Sequence, residues 1–439
     1  MTRTGVDVYL AEFERFEEER RGDPGWLRET RRRAIARFAD LGFPTTRNEE
    51  WRFTSVAPIA EAFFTRPDAG PVTAADLEPF VFGQATRAIR LVFVNGRFAP
   101  GWSTSSLRSG LSAGSLARRL EQDPGGLEAR LARHALWHDH AFRALNTAFL
   151  EDGAVIEIAP GAVLEDPIEI LYLSTTGGLA VVSHPRTLVV AGENSQVRLV
   201  ERYAGADEGP YFTNAVTEII AGPHAVVDHY RVQQESRRAF HVSTTQVHLL
   251  RETAFSSHSI GLGGRLVRND VNAVLAAEGS DCTLNGLYVA EGSGLVDNHT
   301  TIDHASAHCS SHELYKGILG GRARAVFNGK ILVRPDAQKT DAKQTNKTLL
   351  LSDEAQINTK PQLEIFANDV KCTHGATVGQ LDQDALFYLR TRGIGLADAR
   401  SLLIRAFASD LVNRVRIEAL GEQLEAWLAA GLPGVVAGS

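Results

Sequence analysis

The chain has 439 residues, 44 % of them apolar and 23 % charged, as in an ordinary soluble globular protein of two or three domains. A formal net charge of −7 argues against nucleic acid as a partner, and no apolar run approaches the ~20 residues needed to cross a membrane. Three cysteines (Cys282, Cys309, Cys372) are too few for a disulfide framework and suit a reducing cytoplasm, and the charged start MTRTGVDVYLAEFERFEEER does not read as a secretion signal.

Residues 1–145 read as a helical and mixed region. Val8, Phe13 and Phe16, then Leu27, Ile35 and Phe38, recur at helical spacing among charges. The acidic run 17–19 and the arginine run 31–33 predict an ion-paired, solvated helix face rather than a site for an acidic partner. Pro44 breaks the pattern, and Trp51 in the following Asn48-Glu49-Glu50-Trp51-Arg52-Phe53-Thr54 is expected as a packing anchor. Residues 89–96 look like a strand entering a turn, and residues 116–145 look helical with a break at Pro124. His134, His138 and His140 lack a fourth partner and are expected on a helix surface, not around a metal.

Residues 146–379 change to short β-branched runs separated by small-residue turns. Segments with a small residue after the turn at Ser195, Ala225, Ala254 and Ser280 share one pattern, with spacings of 30, 29 and 26. Further turns are expected at Ala307, Ala323, Ala355 and Ala376. A period near 30 without long helices predicts a β-solenoid, in which each coil buries its apolar side only by stacking on the next at ~4.8 Å. On that period Cys282 and Cys309, 27 apart, are candidates for equivalent positions on adjacent coils; an insertion near Gly292 is the alternative. His299, His304, His308, Cys309 and His312 invite a metal reading, but solenoid turns send neighbouring side chains apart, and that divergence is expected here. Gly261-Leu262-Gly263-Gly264 lacks the strand-to-helix context of a phosphate cradle.

The strand pattern ends in Cys372-Thr373-His374-Gly375, and after Asp382, a plausible helix N-cap, residues 380–439 become helical. Cys372 and His374 share one face of a strand, and thiolate with imidazole suits zinc, copper or iron. Two ligands do not close a site, so a buried cysteine beside a turn histidine stays open as the other reading. Leu402, Leu403, Ala406, Phe407, Leu411, Val415 and Ile417, then Leu420, Leu424, Trp427 and Leu428, mark an apolar face. All seven lysines lie between Lys316 and Lys371; every other long cation is arginine. Either these positions need a compact ammonium on a flexible stem, or the clustering is a solvated face.

The wording of residues 337–355 (AQKTDAKQTNKTLLLSDEA), 361–382 (PQLEIFANDVKCTHGATVGQLD) and 386–394 (LFYLRTRGI) closely resembles the SufB/SufD family, scaffold subunits of the SUF iron-sulfur cluster assembly machinery. Residues 48–54 resemble that family's N-terminal wording, and His374-Gly375-Ala376-Thr377-Val378-Gly379 is similar to its SufD-like branch. The resemblance implies a right-handed parallel β-helix flanked by helical regions. It implies a non-catalytic scaffold carrying a transient iron-sulfur cluster, with His374 as the candidate ligand and Cys372 close to it. It also implies a SufB-like partner and a SufC-like ABC ATPase docked on the C-terminal helices, with self-pairing possible when the partner is absent. A flavin accompanies some family complexes, but this chain shows no flavin signature. No Walker lysine motif occurs, so ATP hydrolysis belongs to the partner. The competing functions are a SufB-like subunit and a solenoid enzyme acting on polysaccharide; the latter needs clustered carboxylates at coil spacing, which the sequence does not show.

Overall fold

A computed structural model describes residues 5–67, 70–83, 86–104 and 108–429. From Ala154 onward the chain winds as a parallel β-solenoid, laying strands alternately into two ten-stranded sheets. The first sheet runs through Ile89–Val94, Ile168–Ser174, Gln196–Gly205, Val226–Gln234, Ala254–Leu262, Asp281–Ala290, Ser310–Leu319 and Asp341–Leu350 to Lys371–Gln380. The second runs through Ala154–Ile158, Arg186–Ala191, Tyr211–Ala221, Phe240–Leu249, Leu266–Leu275, Leu295–His304 and Arg324–Val333 to Gln356–Ile365. The predicted β-solenoid class is therefore found, and its flanks are helical.

Register fixes the coil length. Gln196 lies opposite Val226, then Ala254, Asp281, Ser310, Asp341 and Lys371. The coils are therefore unequal: the shortest runs from Ala254 to Asp281 and the longest from Ser310 to Asp341. One corner carries a left-handed residue in six successive coils: Asn194, His224, Glu252, Gly279, His308 and Lys339. Coil-length variation is absorbed in turns, and the corner geometry is kept. This corrects two sequence expectations and decides between the two readings of a third. Thr253, not Ala254, is flush with Ala225 and Ser280. Ala376 lies inside a strand rather than at a turn. Cys282 faces Ser311, leaving Cys309 out of register by two positions, because the coil from Asp281 to Ser310 is longer than the one before it. The shift is roughly 7 Å along the strand. Both thiols are free and buried.

Alternate residues point into the lumen. Val197, Val227, Phe255 and Cys282 from one sheet meet Ala221, Leu249 and Leu275 from the other. The middle of the lumen is polar. Glu201 accepts from Thr187 and Thr217 across it at 2.7 and 2.8 Å, and Asn346 donates to Thr359 at 3.2 Å.

The outer faces are covered by the helical regions. Helices Gly5–Glu19, Gly25–Leu41 and Ala141–Ala148 bring Phe16, Phe38 and Phe142, and the short turn Glu49–Trp51 brings Trp51, into one cluster with Phe212, Phe240 and Val242 of the second sheet. Within them Arg32 pairs with Glu17 as expected, but Arg31 is buried and donates to the Leu150 carbonyl and Asp23, so the arginine run is only partly solvated. Trp51 is the anchor foreseen: the Arg268 guanidinium lies 4.3 Å from its ring centre. Arg268, itself buried, bridges Asp270 and Asp297 at 2.7 Å each and donates to the Glu50 carbonyl at 2.8 Å. Residues 129–140 are not helical, so His134 and His138 sit in turns, and His140 caps Ala141–Ala148 instead of decorating a helix surface.

On the other side, helices Leu396–Val412 and Glu418–Ala429 bury Ile404, Ala408, Leu411, Leu420, Leu424 and Leu428 over Ile260, Leu287 and Ile318 of the first sheet. The buried face is rotated from the one expected, since Leu402 is 43 % exposed. Lys316 pins this packing, donating to the Phe407 carbonyl at 3.0 Å and pairing with Asp410 at 2.9 Å. Residues 430–439 of the expected C-terminal helical region lie outside the described residues.

Candidate functional site

The last strand of each sheet, Gln356–Ile365 and Lys371–Gln380, pairs on one side only. No further coil covers the end of the lumen among the described residues. Interior-type positions are therefore left open, with Val378 47 % exposed and Phe366 beside the rim 64 % exposed. A bare edge of two ten-residue strands is a template for pairing with another chain, and solenoids ordinarily cap such an end.

Cys372 and His374 lie on this edge strand, both facing the lumen, in the register columns of Ala342 and Gln344. The two are roughly 7 Å apart along the strand. Cys372 is half-buried against the cluster that holds Ile331, Val333 and Ala342, and burial together with nearby Asp341 raises its thiol pKa. It is therefore a thiol at neutral pH until a metal displaces the proton. His374 is exposed at the mouth of the lumen. This pair supplies two soft donors that fit iron, and among the described residues no trio of His, Cys, Asp and Glu converges as a metal site. Any cluster held here needs ligands from a second surface.

Below His374 the column continues inward through Gln344 to Glu313. Glu313 is 3 % exposed, and burial pushes its carboxyl up to about 7. Gln344 Nε2 donates to Glu313 Oε2 at 2.7 Å. Sequence reading missed both residues; coil spacing was the signal, since Gln344 stands one coil and Glu313 two coils before His374.

The remaining candidates separate as expected. His299 faces outward between Asp297 and Glu50, at 3.1 and 3.3 Å. His304 points inward onto Ser311 at 2.9 Å, and burial lowers its pKa to about 4. His308 forms the left-handed corner, Cys309 follows it, and His312 is exposed on the outer face. The lysines gather on the last three coils. Lys330 pairs with Glu364 at 2.8 Å and Lys360 with Glu49 at 2.6 Å, whereas Lys347 and Lys371 face solvent. Helix Gln383–Thr391, capped by Asp382 as predicted, buries no residue and exposes Phe387 and Tyr388 next to the open end.

Comparison with known proteins agrees with this geometry. The family description "SUF system FeS cluster assembly, SufBD core domain" matches residues 172–407, and "SufBD protein N-terminal region" matches residues 7–170. An iron-sulfur cluster assembly SufBD family protein of Synechocystis is 35 % identical over 396 residues, covering 88 % of this chain and 87 % of its own length. The iron-sulfur cluster assembly protein SufD of Escherichia coli is 30 % identical over 395 residues, 90 % of each chain. A chloroplastic protein of Arabidopsis thaliana, ABCI7, is 34 % identical over 282 residues, 62 % of this chain and 59 % of its own. With both family regions matched end to end around an open solenoid that presents Cys372 and His374, the chain belongs to the SufB/SufD family of the SUF iron-sulfur cluster assembly system.

Proposed function

We propose that the chain is a SufD-like, non-catalytic scaffold subunit that completes its cluster site by pairing its open solenoid end with a SufB-like chain. The observation that carries this reading is the bare end itself: two strands each with one unpaired edge, uncovered lumen positions, and two soft ligands among them. A partner strand added to this edge satisfies the free backbone groups and brings its own ligands to face His374 and Cys372. Iron and sulfide are the cargo here. His374 offers a neutral imidazole, and Cys372 gives up its proton as it binds.

A SufC-like ATPase is proposed to dock on the C-terminal helices, where Phe387, Tyr388, Leu396 and Leu402 remain exposed although the opposite face of Leu396–Val412 is buried on the first sheet. Nucleotide-driven motion of these helices, pinned to the solenoid by Lys316, would then be transmitted to the paired ends. Domain limits near 145 and 380 fit this division of labour. The described residues contain no helix long and apolar enough to cross a membrane, and three free cysteines fit a reducing compartment such as the cytoplasm. Family membership and the SufD-like wording around His374 support this over a SufB-like subunit or a polysaccharide enzyme.

The test is co-expression with a SufB-like and a SufC-like chain, anaerobic purification and visible absorption. A coloured ternary complex is expected. A chain that purifies alone, colourless and without either partner, overturns the reading.

A further inference from the structure

One buried arrangement lies directly beneath the edge histidine. Gln344 is 1 % exposed and lies directly under His374 in the ladder, its side chain on the same lumen-facing side. Stacked Cα atoms on neighbouring strands are ~4.8 Å apart, so the two side chains lie within reach of each other. The amide nitrogen of Gln344 is already committed, donating to Glu313 at 2.7 Å. That bond fixes which way the carboxamide points. Its oxygen, Oε1, is buried and has no partner.

The opposite wall is cut away to allow this pose. A Cβ at Gly329 would sit 2.2 Å from Gln344 Nε2, so no larger residue fits there while the glutamine lies across the lumen. Glu313 in turn faces the Thr300 hydroxyl from the other sheet. The chain of contacts thus ends in Gln344 Oε1, a buried acceptor without a partner, one rung below His374. His374, the occupant of that rung, makes no side-chain hydrogen bond to a described residue.

We propose that Gln344, held by Glu313, is a positioning residue for His374: its carboxamide oxygen accepts the N–H of one imidazole nitrogen and leaves the other nitrogen, lone pair outward, at the open end. This deepens the scaffold reading, on which His374 is a ligand. A buried carbonyl behind a ligating imidazole sets both its tautomer and its ring orientation, and loss of such a partner weakens metal binding roughly 10–100-fold.

The experiment reads the tautomer directly, without cargo. The full chain is labelled with 15N in its imidazoles, and two-bond 15N–1H correlations are recorded at a pH where the ring is neutral. His374→Asn assigns the peak. In the unaltered chain His374 should show one dominant tautomer. Gln344→Met, which keeps the volume and removes both amide groups, should bring the two tautomers close to equal. Glu313→Leu should do the same by freeing the amide, whereas Glu313→Gln, which keeps an acceptor for Gln344 Nε2, should preserve the bias. The buried His304 peak reports that the lumen is intact. An unchanged His374 pattern in Gln344→Met, or a mixed tautomer in the unaltered chain, overturns the proposal. The ligand reading is separated by cluster yield in the complex. A single, Gln344-dependent tautomer together with normal clusters in His374→Ala leaves the positioning intact and removes the ligand role.

Discussion

At the scale of single residues, His374 is exposed at a strand edge and packs little, so its loss should cost function rather than stability. His374→Ala is expected to leave folding and complex assembly unchanged and to lower the cluster content of the purified complex; normal absorption from the mutant complex counts against a ligand role. Glu313 gives a pH prediction. Its carboxyl is raised from the ordinary 4.5 to about 7 by burial, so between those values the native state holds a proton the unfolded chain has released. Stability from this group is complete below about 4.5 and falls as pH rises through 7, by on the order of 3 kcal/mol in all. Glu313→Gln should flatten that limb. Chemical denaturation at pH 5 and pH 8 checks it, and equal slopes for both proteins refute it. Cys372 and His374 were legible because a two-residue spacing within one strand is readable directly. Gln344 and Glu313 were not, because finding them needs the coil length at that point, and that length changes from one coil to the next.

At the scale of elements, the two helical regions are bolted to opposite faces of the solenoid by one buried cation each. Arg268→Met strips the charge from between Asp270 and Asp297, leaving two buried carboxylates against His140, His299 and Thr54 alone. A loss of about 3–5 kcal/mol is expected, with the segment around Trp51 becoming protease-sensitive first; an unchanged denaturation midpoint would falsify the clasp. On the other face, deleting residues 396–439 removes the proposed ATPase dock but also uncovers Ile260, Leu287 and Ile318, so aggregation would confound the result. Leu402→Glu is the cleaner change. It touches an exposed position, so the chain should fold normally while pull-down of a SufC-like ATPase weakens; full retention of the ATPase moves the dock elsewhere. The helices themselves were readable from periodicity and from Asp382 and Gly393. Which face turns inward was not, because Leu402 and Ile404 are equally apolar and only the sheet beneath decides between them.

Across the whole molecule, charge is distributed as unevenly as backbone pairing. Residues 310–380 hold ten Lys and Arg against seven Asp and Glu, a net +3, leaving −10 for the rest of a chain whose total is −7. Lysines also blunt exposed strand edges, which gives the cluster of seven a physical reason. Association with a SufB-like chain should therefore slow as salt rises, by up to about tenfold between low and physiological ionic strength. Stopped-flow mixing measures this, and a salt-independent rate contradicts it. Val378→Asp puts a charge at the uncovered lumen mouth and should abolish that pairing while leaving the circular dichroism unchanged. The solenoid itself was visible in the sequence as a period near 30; the bare end was not, because a repeat pattern stops in the same way whether the last coil is covered or open. That placement has a consequence for synthesis. Ribosomes deliver the chain N-terminus first, and each coil of a parallel solenoid is templated by the one before it. The adhesive strands are thus among the last to emerge, after the earlier coils have had time to fold. A nascent chain spends most of its production without a sticky edge that could capture a neighbour on the same message.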